Sequence, residues 1–559
     1  MYGSKQPACF LFEIRDCELE VLFTKGEDMY RNKWVACSLA GLMLVICLLF
    51  ASCSSTTTTT ATTTSTSSIP ATTTPSTTTT SAPTLTPQLG GKLNIIASSV
   101  PLLMPIPVIP APAAFYFMPV LEPLIGQDKN GPAPTKLATS WDYNADGTSL
   151  TLHLRQGVTY QDGTAFDAAA VKFNLDMELG FRPEVVSVAS IDVVDDYTVR
   201  LNLKQYDNTL LQHLSWVAGM TQSPTAIQTH DKDWFSSHAV GTGPFVLTSF
   251  DPPNSMVFEK YDGYWDAPKP YLDELRYTFV IDPVTAELSF RAGDAQVWDQ
   301  MTSTNLKAIA NLDYNVNSSP RTVWVALGDS ANPESPFAKL EVRQALDYAI
   351  DKASIANVYG NNVWEAPSQC AASSQFGYIP DFQGRAYDPV KAKQLLADAG
   401  YPDGFKTTLT VRNNIDINVV GVFQANLAAI GIDAEIIPAD TGAYRAMLST
   451  GWDGIIVNGL GVAGSVAKMM QTDAPNANWC VSALVTDNFK NALAAATSAD
   501  PASELEANQA LVKAIFDDAI MVPWVIDSTS CAYVDSVHTD LDVVSLQWWN
   551  PGDTWMSQN

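Results

Sequence analysis

From Gly454 the chain reads Gly-Ile-Ile-Val-Asn-Gly-Leu-Gly-Val-Ala-Gly-Ser. This sets Gly459, Gly461 and Gly464 in the spacing G-x-G-x-x-G directly after an apolar run. In a strand–turn–helix unit that spacing brings backbone amides up to a pyrophosphate. It also needs an acidic residue at a second strand end about twenty residues further on. The chain instead continues into Pro475-Asn476-Ala477-Asn478, a loop signal. The three glycines are therefore expected to let another group approach the backbone. A nucleotide-dependent enzyme is an alternative that rests on this pattern alone, and no cofactor is expected. The five histidines (His153, His213, His230, His238, His538) are scattered without metal-ligand spacing. There is no G-x-S-x-G, and Asp195-Asp196 and Asp517-Asp518 read as solvated charges. No catalytic residue and no metal ligand is expected.

A second group of residues suits binding rather than catalysis. The chain holds 14 Trp, and an indole buried as mere filler leaves an N–H to satisfy. Tyr116, Trp298, Trp324, Trp364, Trp452 and Trp479 are the candidate ligand-contacting aromatics. Their faces suit apolar groups, sugars or cations. Core packing is the competing reading for each. With 32 basic against 59 acidic residues the formal charge is −27, which repels phosphate backbones and disfavours nucleic acid as a partner.

The elements that position these residues begin well inside the 559-residue chain. Arg31 and Lys33 precede the apolar run Trp34–Ala51, and Ser52-Cys53 follow it. A basic start, an apolar middle and small residues before a Cys describe a signal peptide of the lipoprotein kind, with the Cys53 thiol carrying lipid. An uncleaved anchor is the alternative. Residues 1–28 fit no targeting pattern, so Met29 is the expected true start and 1–52 the leader. From 53 to 89 the chain is mostly Thr, Ser and Pro, with no apolar periodicity. It reads as a tether of roughly 35 Å as a coil or about 110 Å as polyproline.

Beyond the tether, Leu93–Ala97 reads as a strand, and Leu150, Leu152 and Leu154 share one face of another. Asp167 is placed to cap a helix over 168–179. Val199, Leu201 and Leu203 alternate as a further strand. Val342, Leu346, Ala349 and Ile350 form one helix face, and Asp388-Pro389 opens a helix that Gly400 closes. Strands over 407–411, 432–437 and 455–457 alternate with helices over 419–430 and 444–448, which implies an α/β domain. A helix over 502–519 and strands near 522–526 and 532–534 end the pattern.

Several segments, in order, resemble the family 5 extracellular solute-binding proteins of ABC importers, which include peptide-, nickel- and some saccharide-binding receptors. They are LATSWDYNADGTSLTLHLRQGVTYQDGTAFDAAAVKFNLD, GTGPFVLTSF, YDGYWDAPKPYLDELRYTFVIDPVTAELSFRAGD, PFAKLEVRQALDYAIDKASI and YIPDFQGRAYDPVKAKQLLADAGYPDGF. The resemblance spans about residues 90–545. It implies a two-lobed α/β clamp of the periplasmic-binding-protein type with an extra subdomain. Lobe I would comprise 90–126, 236–318 and 527–559, the inserted subdomain 127–235, and lobe II 319–526. It further implies a peptide or other small-molecule ligand between the lobes, a permease with its ATPase subunits as partners, and a monomer lipid-anchored outside the cytoplasmic membrane. A surface adhesin on a stalk is the other alternative, favoured by the tether but not by the α/β pattern.

Peptide binders of that family hold the ligand's amino terminus with an acid in a glycine-rich loop after a lobe II strand. The matching passage Asn458–Gly464 lacks it, although Asp453 or Asp473 could substitute. The expected ligand-binding set is Tyr116, Trp298, Trp324, Trp364, Asn458, Gly459, Gly461 and Trp479. The cysteines left after processing, Cys370, Cys480 and Cys531, allow three pairings; Cys370–Cys480 is the favoured one, since both fall in lobe II.

Overall fold

The computed structural model describes residues 86–557 apart from 105–108, 110, 129–130, 414, 463, 477–478 and 540–548. The leader, Met29, Cys53 and nearly all of the tether lie outside the described residues.

A ten-stranded sheet organises the chain. Its order is Ile432–Ala439, Phe405–Arg412, Ile455–Gly461, Asn315–Gly328, Val522–Tyr533, Val297–Met301, Lys92–Ala97, Glu274–Phe279, Ser255–Lys260 and Phe245–Asp251. Parallel pairs lie towards each end, Lys92–Ala97 with Glu274–Phe279 and Phe405–Arg412 with Ile432–Ala439. The long antiparallel strands Asn315–Gly328 and Val522–Tyr533 join the two halves. Asn315–Gly328 pairs with Ile455–Gly461 through Thr322–Gly328, and Val522–Tyr533 pairs with Val297–Met301 through Ser530–Tyr533. These two crossing strands are therefore shared between separate cores. One core holds Leu93, Ile95, Phe115, Leu275 and Tyr277; two others hold Leu327, Ile456 and Leu511, and Leu346, Phe423 and Trp524.

A smaller antiparallel sheet, Ala138–Tyr143, Ser149–Leu154, Thr198–Leu203 and Val188–Asp195, stands apart on its own core. Leu150, Leu152 and Leu154 fill it as alternation requires. The helix Ala168–Glu178 covers it, and the Asp167 carboxylate accepts from the Ala170 amide at 2.8 Å. Among the described residues no helix is long and apolar enough to cross a membrane.

Local chemistry sets most boundaries. The Asp388 carboxylate caps Pro389–Asp398 through the Lys391 amide at 2.9 Å, and Gly400 follows at φ +93°. Leu340–Ala349 buries Val342, Leu346 and Ala349, with Ile350 at its end. Asp487–Ser498 is a helix that periodicity did not reveal.

Three expectations are corrected. The passage after Val457 is not a loop from Asn458, because the strand continues to Gly461. The segments near 522–526 and 532–534 are one continuous strand. Its middle, Asp527-Ser528-Thr529-Ser530, is polar because it runs between cores rather than within one. Third, Cys370 and Cys480 form no disulfide: these two and Cys531 are buried free thiols. Cys370 Sγ contacts Met521 Sδ at 3.5 Å, while the Asn458 amide donates to Cys480 Sγ at 3.7 Å.

Candidate functional site

Trp324 lies on the first crossing strand opposite Gly459. A Cβ on Gly459 would stand 2.7 Å from Thr322 Cγ2 and 3.2 Å from Trp324 Cζ3, so the missing side chain lets the indole lie against the neighbouring strand. The indole N–H donates to Asp527 Oδ2 on the second crossing strand at 2.9 Å. Burial pushes the Asp527 carboxyl up, opposed by this bond and by the Arg321 charge.

Arg412 ends the strand Phe405–Arg412. Its guanidinium carbon is 5.6 Å from the Trp324 ring and 5.4 Å from the Tyr444 ring. Both distances suit a cation held on aromatic faces. Tyr444, on the helix Thr441–Thr450, is fixed from behind: its hydroxyl lies 2.8 Å from the Val457 carbonyl and 3.0 Å from Asn458 Oδ1. Arg412 Nε is buried and meets no acceptor among the described residues. A planar cation pinned by two rings with a free donor is suited to a carboxylate.

The glycine passage turns out to serve this face. Gly459 and Gly461 are strand residues, and the Gly461 amide donates to Asp473 Oδ2 at 2.9 Å. Burial raises Asp473 to about 6, opposed by the Gly461 N–H. Gly464 lies close against Gln212 of the smaller module. Among the described residues no cluster of His, Cys, Asp and Glu could hold a metal.

The structure distributes the other sequence candidates. Trp298 is 1% exposed and tilted against Phe290 in a core, and Trp452 is likewise packed inward. Tyr116 is 2% exposed. Its hydroxyl donates to the Ser99 carbonyl at 3.0 Å, and burial pushes it well above the usual phenol range. The Asn458 side chain is buried between Tyr444 and Cys480, so it supports Tyr444 from beneath. Trp364 is half-buried beside the second crossing strand, where its neighbour Glu365 exchanges both backbone bonds with Ile526 at 3.0 Å. Trp479 is half-buried, and its carbonyl accepts from the Asn476 amide.

Sequence reasoning missed Arg412, Tyr444 and Asp527. The available signal for Arg412 was its place at the carboxyl end of a strand, where open α/β sheets bind ligands.

Residues 134–479 match the family model for bacterial extracellular solute-binding proteins, family 5. The glutathione-binding protein GsiB of Salmonella paratyphi A is 32% identical over 376 residues, covering 65% of this chain and 71% of that protein. Among solved structures, DppA of Helicobacter pylori with the peptide STSA superposes with a TM-score of 0.72 at 23% identity. That match covers 84% of this chain and 99% of DppA. NikA of Brucella suis with Fe(III)-EDTA gives 0.72 at 23% identity over 82% of this chain and 100% of NikA. The fold is thus the two-lobed α/β clamp of these binding proteins, and the chain belongs to family 5 of the bacterial extracellular solute-binding proteins, which bind solutes and are not enzymes.

Proposed function

We propose that this protein captures a short peptide-type solute between two lobes and delivers it to the permease of an ABC importer. The observation that carries the reading is Arg412, pinned between Trp324 and Tyr444 with a buried, unengaged Nε. A ligand carboxylate is the complementary group. The glutathione-binding relative and the peptide-bound DppA support a peptide-type ligand. The lobes are those drawn from the sequence: 90–126, 236–318 and 527–559 with the insert 127–235, against 319–526. Their hinge is the middle of the crossing strands, near Ser318–Thr322 and Asp527–Ser530, where the pairing register shifts. Ligand contacts to both lobes exist only when the clamp is closed, so ligand shifts the balance by its differential affinity. Calorimetry with glutathione and with di- and trialanine, each beside its C-terminal amide, tests the reading. Saturable binding that amidation weakens supports it. No binding by any peptide, or equal binding of acids and amides, overturns it.

The same reading places the protein outside the cytoplasmic membrane as a monomer, held by lipid on Cys53 through the Thr-rich tether. The support is the basic–apolar–small–Cys order of residues 31–53. Cys53→Ala is expected to abolish metabolic lipid labelling and shift the protein out of the membrane fraction. Labelling that persists in the variant would remove the anchor.

A further inference from the structure

Resting on the two-lobed reading, we infer that the inserted subdomain carries a clasp. Its segment Asp207–His213 bonds lobe II in the closed form without touching ligand, and so sets how much of the unliganded protein is closed. The segment packs on the core of the smaller sheet through Leu210. Its partners, the helices Val466–Asp473 and Asp487–Ser498, pack on a separate core through Met469, Met470, Phe489 and Ala496. Asn208 bridges the two. Its backbone N–H donates to the Thr497 carbonyl at 3.0 Å, and its side-chain amide donates to the Ala496 and Ala499 carbonyls at 2.9 and 3.1 Å. The last carbonyls of a helix have no partner within it, so Asn208 caps Asp487–Ser498 from another module. Beside it, Thr209 Oγ1 lies 2.8 Å from Gln471 Oε1, and Lys468 donates to the Gln212 carbonyl at 3.0 Å.

One side of the clasp is preformed. Asp207 Oδ1 accepts from the Thr209 amide at 2.9 Å, and the Tyr143 hydroxyl donates to the Asp207 carbonyl at 3.2 Å. These bonds hold the loop in its bonding shape, which lowers the entropy lost on closing. The subdomain is in turn fastened to lobe I. Gln161 Nε2 donates to the Phe245 carbonyl at 2.7 Å, Lys136 pairs with the buried Glu122 at 3.1 Å, and Arg155 lies over the Trp265 ring. Parting of the lobes therefore breaks the bonds of Asn208 and leaves these in place. No clasp residue belongs to the Arg412 site. Its bonds favour closure equally for every ligand, because apparent affinity scales with the closed fraction.

The test is single-molecule fluorescence transfer in the unliganded protein, beside calorimetry with trialanine and glutathione. Dyes sit on Asp142→Cys and Lys406→Cys, positions whose side chains are exposed, while the native thiols among the described residues are buried. A closed minority is expected without ligand. Asn208→Ala should lower it about tenfold and weaken both peptides by that same factor. Gln471→Ala, on the other side of the seam, should give roughly threefold and serves if Asn208→Ala does not fold. No closed population in the unaltered protein, an unchanged closed fraction in the folded variants, or peptide affinities that fall by unequal factors overturns the clasp while leaving the function in place. Binding of neither peptide, with a closed fraction that still falls in the variants, overturns the function and leaves the clasp.

Discussion

Arg412→Ala is expected to weaken peptide binding by about 2–5 kcal/mol, or roughly 30- to 5,000-fold, measured by calorimetry on the folded variant. The size follows from the setting. The guanidinium lies against two aromatic faces with its Nε out of water. A carboxylate bonded there gains a charge-assisted contact that water does not dilute. The fold should tolerate the change, because Arg412 makes no ion pair that its loss would break among the described residues. Arg412→Lys should fall between, since it keeps the charge but loses the planar stack. Affinity within twofold of the unaltered protein in Arg412→Ala would place the ligand carboxylate elsewhere.

The second large effect is on pH. His213, on the helix Leu210–Leu214 of the smaller module, is 2% exposed. Its Nε2 stands 3.3 Å from Gln471 Oε1, on the helix Val466–Asp473 that packs on a different core. Lys468 on the same helix donates to the Gln212 carbonyl at 3.0 Å, and Thr209 donates to Gln471 Oε1 at 2.8 Å. Burial and the nearby Lys468 charge lower His213 from 6.5 to about 3. Lys468 itself is lowered by burial to about 8.

If parting of the lobes rehydrates His213, protonation favours the open form as pH falls below 6.5. The bias grows by about 1.4 kcal/mol per unit until pH nears 3, giving roughly 2 kcal/mol, or about 30-fold in closure, at pH 5. No bias from this group remains above pH 7. Asp473, raised to about 6 in the same region, works in the opposite direction. Comparison with His213→Gln isolates the histidine: the unaltered protein should lose about 30-fold more affinity than the variant between pH 7 and pH 5. Parallel pH profiles would show that the seam does not move with binding.

Much of the fold was legible because local chemistry agreed with global packing. Asp167 and Asp388 cap the helices they precede, and the apolar face of Leu340–Ala349 is the buried one. The second crossing strand was legible only at its apolar ends. Asp527–Ser530 breaks the alternation since that stretch runs between cores rather than within one. The glycine passage read as a loop, yet the strand runs on to Gly461. Gly459 lacks a side chain because Thr322 and Trp324 occupy the space beside it, not because the backbone turns.

The site itself was half legible. Trp324 was among the aromatics singled out by residue type. Trp298 has the same residue type and a similar strand context but faces a core, and type alone does not fix facing. Arg412 and Tyr444 are separated by a strand and a helix, so their pairing exists only in three dimensions. The cysteines show the same limit: Cys370 and Cys480 share one core, yet each finds another partner.

The central claim, that ligand closes two lobes about the crossing strands, is tested most directly by small-angle scattering of the purified protein with and without a peptide shown by calorimetry to bind. The account predicts that the radius of gyration falls at saturation and that Arg412→Ala shows no fall at the same peptide concentration. An unchanged radius with the site demonstrably occupied would contradict the clamp.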